Sequence, residues 1–304
     1  MSKLRLRQHI HSNSTKLNES AGTDTLNLGE FVMIKAMSGT NTFWVDDPRI
    51  TSMEGMPSIV PNIFKLSIYN VPLENFIGMP EKFSSDEVVI AVQHCDKVSS
   101  LHGMTSNIRE IQITNCVKLT KLDGTFPNLR SIGIDDQTIS NVDVSSIMAP
   151  KLAHFNIDSK SIKFSDRVLP RVNELSSGLG LRMSFGKIKL VDHLKTAGIG
   201  KVGILYLDAQ GASDLVDFEG INTHLKFNAA AGGKAKVILA GTHSNYTGLS
   251  RLLMCDGLST IGVSRLQLPQ EIALFITSIE LPASRKDILT FTRLCSEHKV
   301  AHLV

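Results

Sequence analysis

The residues of this chain that could do chemistry are few: four cysteines, ten histidines, two Asp-Asp pairs and two glycine-rich runs. Cys95, Cys116, Cys255 and Cys295 never form the C-x-x-C spacing that a zinc site or a redox disulfide uses. On an inward-facing ladder a cysteine packs as a small apolar residue, and Cys95 and Cys116 are read that way rather than as a metal, disulfide or nucleophile site. His9 and His11 could offer two imidazoles from one strand face, but an exposed polar tail explains them more simply. Asp46-Asp47 and Asp135-Asp136 supply the paired carboxylates that hydrolysis could use, although aspartate at a strand end is also a turn residue. Gly198, Gly200 and Gly203 spell G-x-G-x-x-G, yet a weak helix precedes them and the apolar run Ile204 to Leu207 follows. A dinucleotide site needs the opposite order, so a helix-to-strand turn is expected there. Gly232-Gly233-Lys234 lacks the upstream glycine and the Ser/Thr of a P-loop, and neither G-x-S-x-G nor H-E-x-x-H occurs. The expectation is a chain with no catalytic residues, no metal and no cofactor, which is not an enzyme.

The elements that would position any site are set by a repeat. Ile90, Val92, Cys95, Val98, Leu101 and Gly103 are answered, 21 residues on, by Ile111, Ile113, Cys116, Leu119, Leu122 and Gly124. In the stretch Ile108 to Ile113 the apolar residues fall at steps of three and then two. A turn entering a short strand with one buried face has that pattern, with Ile111 and Ile113 inside and Glu110, Gln112 and Thr114 outside. Cys116, Leu119 and Leu122 then recur at steps of three, which suits a tight 3₁₀-like or irregular connection. One such coil cannot cover its own apolar face, so coils must stack.

With its L-x-x-L-x-L core and a period near 20 to 29 residues, this stretch resembles the leucine-rich repeat family. The resemblance implies an α/β repeat fold: a leucine-rich-repeat-like solenoid with a parallel β-sheet on the concave face and short helical or irregular convex connections. It is clearest over residues 43–165. Ile63, Leu66, Ile68, Val71 and Leu73 fit the template, with Val71 where the family has asparagine; Leu129, Ile132, Ile134 and Ile139, then Leu152, Phe155, Ile157 and Ile162, carry it on. Valine and cysteine in place of that asparagine leave its inter-coil ladder in question.

Residues 1–42 read as an N-terminal tail and capping hairpin around Ser38 to Asn41. Residues 43–165 hold the regular repeats and residues 166–283 an irregular continuation, or alternatively a separate α/β domain. Strand cores are expected at Leu181/Met183, Leu205/Leu207, Leu225/Phe227, Val237/Leu239, Ile261/Val263 and Ile279/Leu281, with helical stretches at Leu190 to Lys195 and Gly248 to Met254. Residues 284–304 read as a capping helix and closing strand, the helix announced by the capping box Ser284/Asp287.

Composition sets further bounds. With 42% hydrophobic and 20% charged residues the chain is of ordinary globular type, and a formal charge of +3 argues for neither nucleic acid nor membrane. No apolar run approaches about 18 residues, and the first residues lack the apolar stretch of a secretory signal, so the expected setting is cytoplasmic.

Stacked strands would bring residues distant in sequence onto one surface. The position between the two core residues of each strand yields Trp44, Ser67, Ala91, Gln112, Gly133, Asn156, Arg182, Tyr206 and Lys226. The position after them yields Asp46, Tyr69, Gln93, Thr114, Asp135, Asp158, Ser184, Asp208 and Asn228. The second column has four aspartates and no fixed positive charge, which predicts an acidic stripe with aromatics near its ends. From these two columns Trp44, Asp46, Tyr69, Gln93, Gln112, Thr114, Asp135, Asn156, Asp158, Arg182, Tyr206 and Asp208 are the expected partner-binding set. The family resemblance implies a non-catalytic adaptor or scaffold that binds another protein, one with a basic surface to match the stripe. A structural or assembly subunit using edges and caps, and an enzyme within residues 166–304, are the alternatives.

Overall fold

The computed structural model describes residues 42–60, 63–137, 139–228 and 233–304. The expected tail, the hairpin loop, His9, His11 and Gly232 lie outside these residues.

Ten strands form one sheet: β1 (Thr42–Val45), β2 (Lys65–Tyr69), β3 (Val89–Gln93), β4 (Glu110–Thr114), β5 (Ser131–Asp135), β6 (His154–Lys163), β7 (Gly178–Ser184), β8 (Ile204–Ala209), β9 (Lys236–Thr242) and β10 (Thr260–Gln267). They lie in chain order, and each pairs in parallel with the next. Parallel neighbours cannot be joined by a hairpin, so every connection must leave the sheet and return. Along the strands apolar residues alternate: Leu66, Ile90, Ile111, Ile132, Phe155, Leu179, Leu205, Val237 and Ile261 are direct register partners and all are buried. Each such side chain contributes roughly 1.5–3 kcal/mol by leaving water. The sheet runs without a break across residue 165.

The connections are in register too. Short parallel pairs link Ile59–Val60 to Lys82–Phe83 and Gly124–Thr125 to Ile147–Met148, and two further parallel sheets of three strands lie among the later connections. Cys95, Val98, Leu101, Cys116, Leu119 and Leu122 are all buried there. This is an α/β arrangement with a large parallel sheet and few helices, consistent with a repeat-like fold.

The turns out of the early strands are built alike. Asn70, His94 and Asn115, each directly after its strand, adopt left-handed backbone with φ of 54°, 53° and 50°. Their amides extend the ladder by donating to the carbonyls of Gln93, Thr114 and Asp135. The next residue then points inward: Val71 packs, while the Cys95 thiol lies 3.7 Å from the Ile68 carbonyl and the Cys116 thiol 3.6 Å from that of Val92, each on the preceding strand. A thiol is a weak donor, so these contacts add little beyond the packing of the sulfur. Two buried acceptors follow: Asp136, directly after β5, accepts from the amides of Cys116 at 2.6 Å and Ile139 at 3.0 Å, and Ser159, within β6, accepts through Oγ from the amides of Ser161 and Ile162, each at 3.2 Å.

The sixth repeat position is less uniform. Gly103 has φ +81° and an added Cβ would fall 2.4 Å from the Ile77 amide nitrogen, so only glycine fits; Gly124 is exposed and lies in a short strand.

Beyond β6 some expectations fail. Phe227 is in a two-residue strand of a side sheet, Lys226–Phe227, and Ile238 rather than Lys226 pairs with Tyr206. The alternation around Val237 and Leu239 is longer and takes the place in the main sheet. Ile279 and Leu281 form no strand, because Ile279 ends an unanticipated helix. Val300 to Val304 holds the 3₁₀ turn Ala301–Leu303 instead of a closing strand. The helix Gln270–Ser278, and no further strand, packs against β10 among the described residues.

The helices are α1 (Leu190–Ala197), α2 (Ile221–His224), α3 (Leu249–Leu253), α4 (Gln270–Ser278) and α5 (Arg285–Glu297). The α5 capping box is formed: Ser284 Oγ accepts from the Asp287 amide at 3.2 Å, and Asp287 Oδ2 from the Ser284 amide at 3.0 Å. Among the described residues no helix is long and apolar enough to cross a membrane.

Candidate functional site

The sheet face opposite the core is built by the strand alternation itself. Trp44, Asp46, Tyr69, Gln93, Gln112, Thr114, Asp135, Asn156, Asp158, Arg182, Tyr206 and Asp208 are all exposed or half-buried. Two other members of the first column are not: Ser67 and Ala91 are enclosed, at 1% and 0% exposure, so they cannot meet a ligand as solvated strand residues would.

Register alters the column assignments in one decisive place. Tyr206 pairs with Gly180 and Asp208 with Arg182, while Asp158 pairs with Arg182 from the other side. Arg182 therefore stands in the aspartate column, and Gly180 takes the place expected for it between Asn156 and Tyr206. The Asn156 side chain occupies the space left there, since an added Cβ would fall 2.2 Å from its Oδ1 and would make it turn aside. The second column reads Tyr69, Gln93, Thr114, Asp135, Asp158, Arg182, Asp208, Ala240 and Arg265, with Ser184 displaced to pair with Lys163.

An uninterrupted acidic stripe is thus overturned. Arg182 Nη1 donates to Asp158 Oδ2 at 3.2 Å. Its Nε lies 3.3 Å from Asp208 Oδ2, a charge contact rather than a hydrogen bond. The Asp158 charge, and then the hydrogen bond to it, hold the guanidinium above its ordinary range. Asp208 is further engaged by the Tyr206 hydroxyl at 3.2 Å and Gln210 Nε2 at 2.7 Å. Burial first, and then the Asp208 charge, push the Tyr206 phenol up, while Arg265 pulls it down. Arg265 was missed because a register shift between Ile238 and Ala240 puts it opposite Ala240, out of step with simple alternation.

The rest of the face is more open. Asp135 is exposed, with no side-chain partner among the described residues. Tyr69 meets His94 edge-on with ring centroids 5.2 Å apart, and Gln112 donates to Glu110 Oε1 at 2.7 Å. Trp44 is 39% exposed at the β1 end. Beside it, Asp46 and Asp47 divide: Asp46 is half-buried, while Asp47 is buried and takes Arg49 Nε at 3.0 Å and Nη2 at 2.7 Å. The Arg49 side chain holds the Asp47 carboxyl below the usual carboxylate range.

The other candidate chemistry is absorbed by structure. All four cysteines are buried; burial raises the Cys255 thiol to about 12 and Cys295 to about 11. The neighbouring Cys95 thiol, then burial, raise Cys116 further. In the G-x-G-x-x-G run, Gly198 caps α1, and the amides of Gly200 and Gly203 donate to the carbonyls of Asn173 and Leu175, leaving no cradle for a phosphate. Among the described residues no three His, Cys, Asp or Glu side chains converge as metal ligands.

Comparison with family models, with curated proteins and with solved structures finds no match.

Proposed function

We propose that this chain is a non-catalytic adaptor or scaffold, a leucine-rich-repeat-like solenoid whose concave sheet face docks another protein. The observation that carries the reading is the row of register-aligned side chains, one from each successive strand, at Tyr69, Gln93, Thr114, Asp135, Asp158, Arg182 and Asp208. Side chains held on paired strands are rigidly spaced, so a partner meeting them loses little entropy in ordering them. Trp44 and Tyr69 supply aromatic anchors of the kind that dominate interface energies. A basic residue of the partner would meet Asp135, because Asp158 and Asp208 already share Arg182.

The test is affinity capture followed by quantitative binding with wild type, Trp44→Ala and Asp135→Lys. We expect Trp44→Ala to weaken binding by about 2 kcal/mol, chiefly through a faster off-rate. Asp135→Lys should slow association, with an effect that shrinks at high salt. Unchanged affinity in both folded variants would move docking off this face. Assembly through an end is the second reading, favoured by Leu274 on α4 and Leu289 on α5, which are 60% and 63% exposed.

A further inference from the structure

His243 and His302 come from distant parts of the chain yet meet ring to ring. His243 opens the short 3₁₀ turn His243–Asn245 that follows β9, and His302 lies in the turn Ala301–Leu303. Their ring centroids are 5.3 Å apart and tilted by 30°, and Nδ1 of His243 is 3.3 Å from Nε2 of His302. Neither turn's place depends on that contact. The first turn is held by the buried Asn245, which accepts from the Thr242 amide at 3.1 Å and donates to the carbonyls of Gly211 at 3.1 Å and Asp214 at 2.9 Å. The second is held by the Gly248 amide, which donates to the His302 carbonyl at 3.1 Å, and by the Ser250 hydroxyl, which donates to the Val304 carbonyl.

The spacing of the two nitrogens has a chemical meaning. Metal-nitrogen bonds of about 2.0–2.1 Å at tetrahedral angles place two imidazole nitrogens about 3.3 Å apart. Both nitrogens offer a lone pair when His243 holds its proton on Nε2 and His302 on Nδ1, both rings being neutral. We propose that His243 and His302 form a two-imidazole site for zinc or a similar divalent transition ion, with water completing the tetrahedron. The ion would clasp the turn at residues 301–303 to the turn after β9. Magnesium and calcium are excluded as ligands of this site by their demand for oxygen donors. Without metal, His302 Nε2 is placed to donate to the His243 carbonyl, 3.3 Å away, so binding requires that ring to move its proton to Nδ1.

The experiment is thermal unfolding of the full chain against rising zinc chloride, with magnesium chloride as control, beside equilibrium dialysis to count bound zinc. Wild type should bind one zinc that is lost in His302→Ala and in His302→Gln, and its melting midpoint should rise with zinc concentration while magnesium leaves it unmoved. The rise should vanish equally in His243→Ala, whose zinc-free midpoint serves as the check on folding. Zinc stoichiometry and midpoint shifts that are the same in wild type and in the folded His302→Gln variant would overturn the site, as would failure of wild type to bind zinc.

Discussion

Arg182 on β7 donates from Nη1 to Oδ2 of Asp158 on β6, 3.2 Å away, and turns its Nε toward Asp208 on β8. One guanidinium between two carboxylates leaves the middle of the face less negative than its aspartates alone would make it. The side chain is 40% exposed, so most of the pair's attraction is screened by water.

Replacing Arg182 by Met should therefore cost no more than about 1 kcal/mol in denaturant melts, with the difference falling further at high ionic strength. Its effect on recognition should be larger: Asp158 and Asp208 are released, and association with a basic partner should speed up at low salt. Stopped-flow association rates read this directly.

Gly103→Ala and Gly133→Ala should separate packing from propensity. At Gly103 a Cβ would press to 2.4 Å against the backbone of Ile77 with φ at +81°, whereas nothing lies within 4 Å of a Cβ at Gly133. The first should lose about 1–3 kcal/mol or more, and the second should lie near zero or be slightly stabilising. Chemical denaturation of both variants measures the difference.

The thiols should be inert while the protein is folded. All four cysteines are fully enclosed; burial holds Cys255 near 12 and Cys295 near 11, and although the facing Cys116 thiol pulls the Cys95 thiol down, its enclosure keeps a reagent from reaching it. A colorimetric thiol reagent should report no free thiol until denaturant is added, and Cys116→Ala should cost roughly 1 kcal/mol through lost packing.

Asp47 should account for part of the acid sensitivity. Arg49 lowers its folded pKa below that of the unfolded chain, so its contribution is complete above the unfolded carboxylate value of about 3.9 and is lost as pH falls through the lower folded value. Asp47→Asn should cost about 1.5–3 kcal/mol at neutral pH, and its deficit relative to wild type should close as pH drops below about 4. Melts across that range check the sign.

From β1 to β6 the sequence by itself determined which residues face the core, because isolated pairs such as Ile111/Ile113 and Ile132/Ile134, set at a regular period, admit one register. It also located the α5 cap, since Ser284 and Asp287 satisfy each other's amides locally and need nothing distant. At β7 the pattern Leu179, Leu181, Met183 alternates through three apolar positions, and a shift by two residues keeps every apolar side chain inside. Pairing with Asp158 and Asp208 on the flanking strands chose Leu179 and Leu181 as the core pair and so put Arg182 among the aspartates. The same holds for His243 and His302: nothing local relates residues 59 positions apart, and only the packing of the turn at Ala301–Leu303 against the segment around Gly248 brings the two rings together.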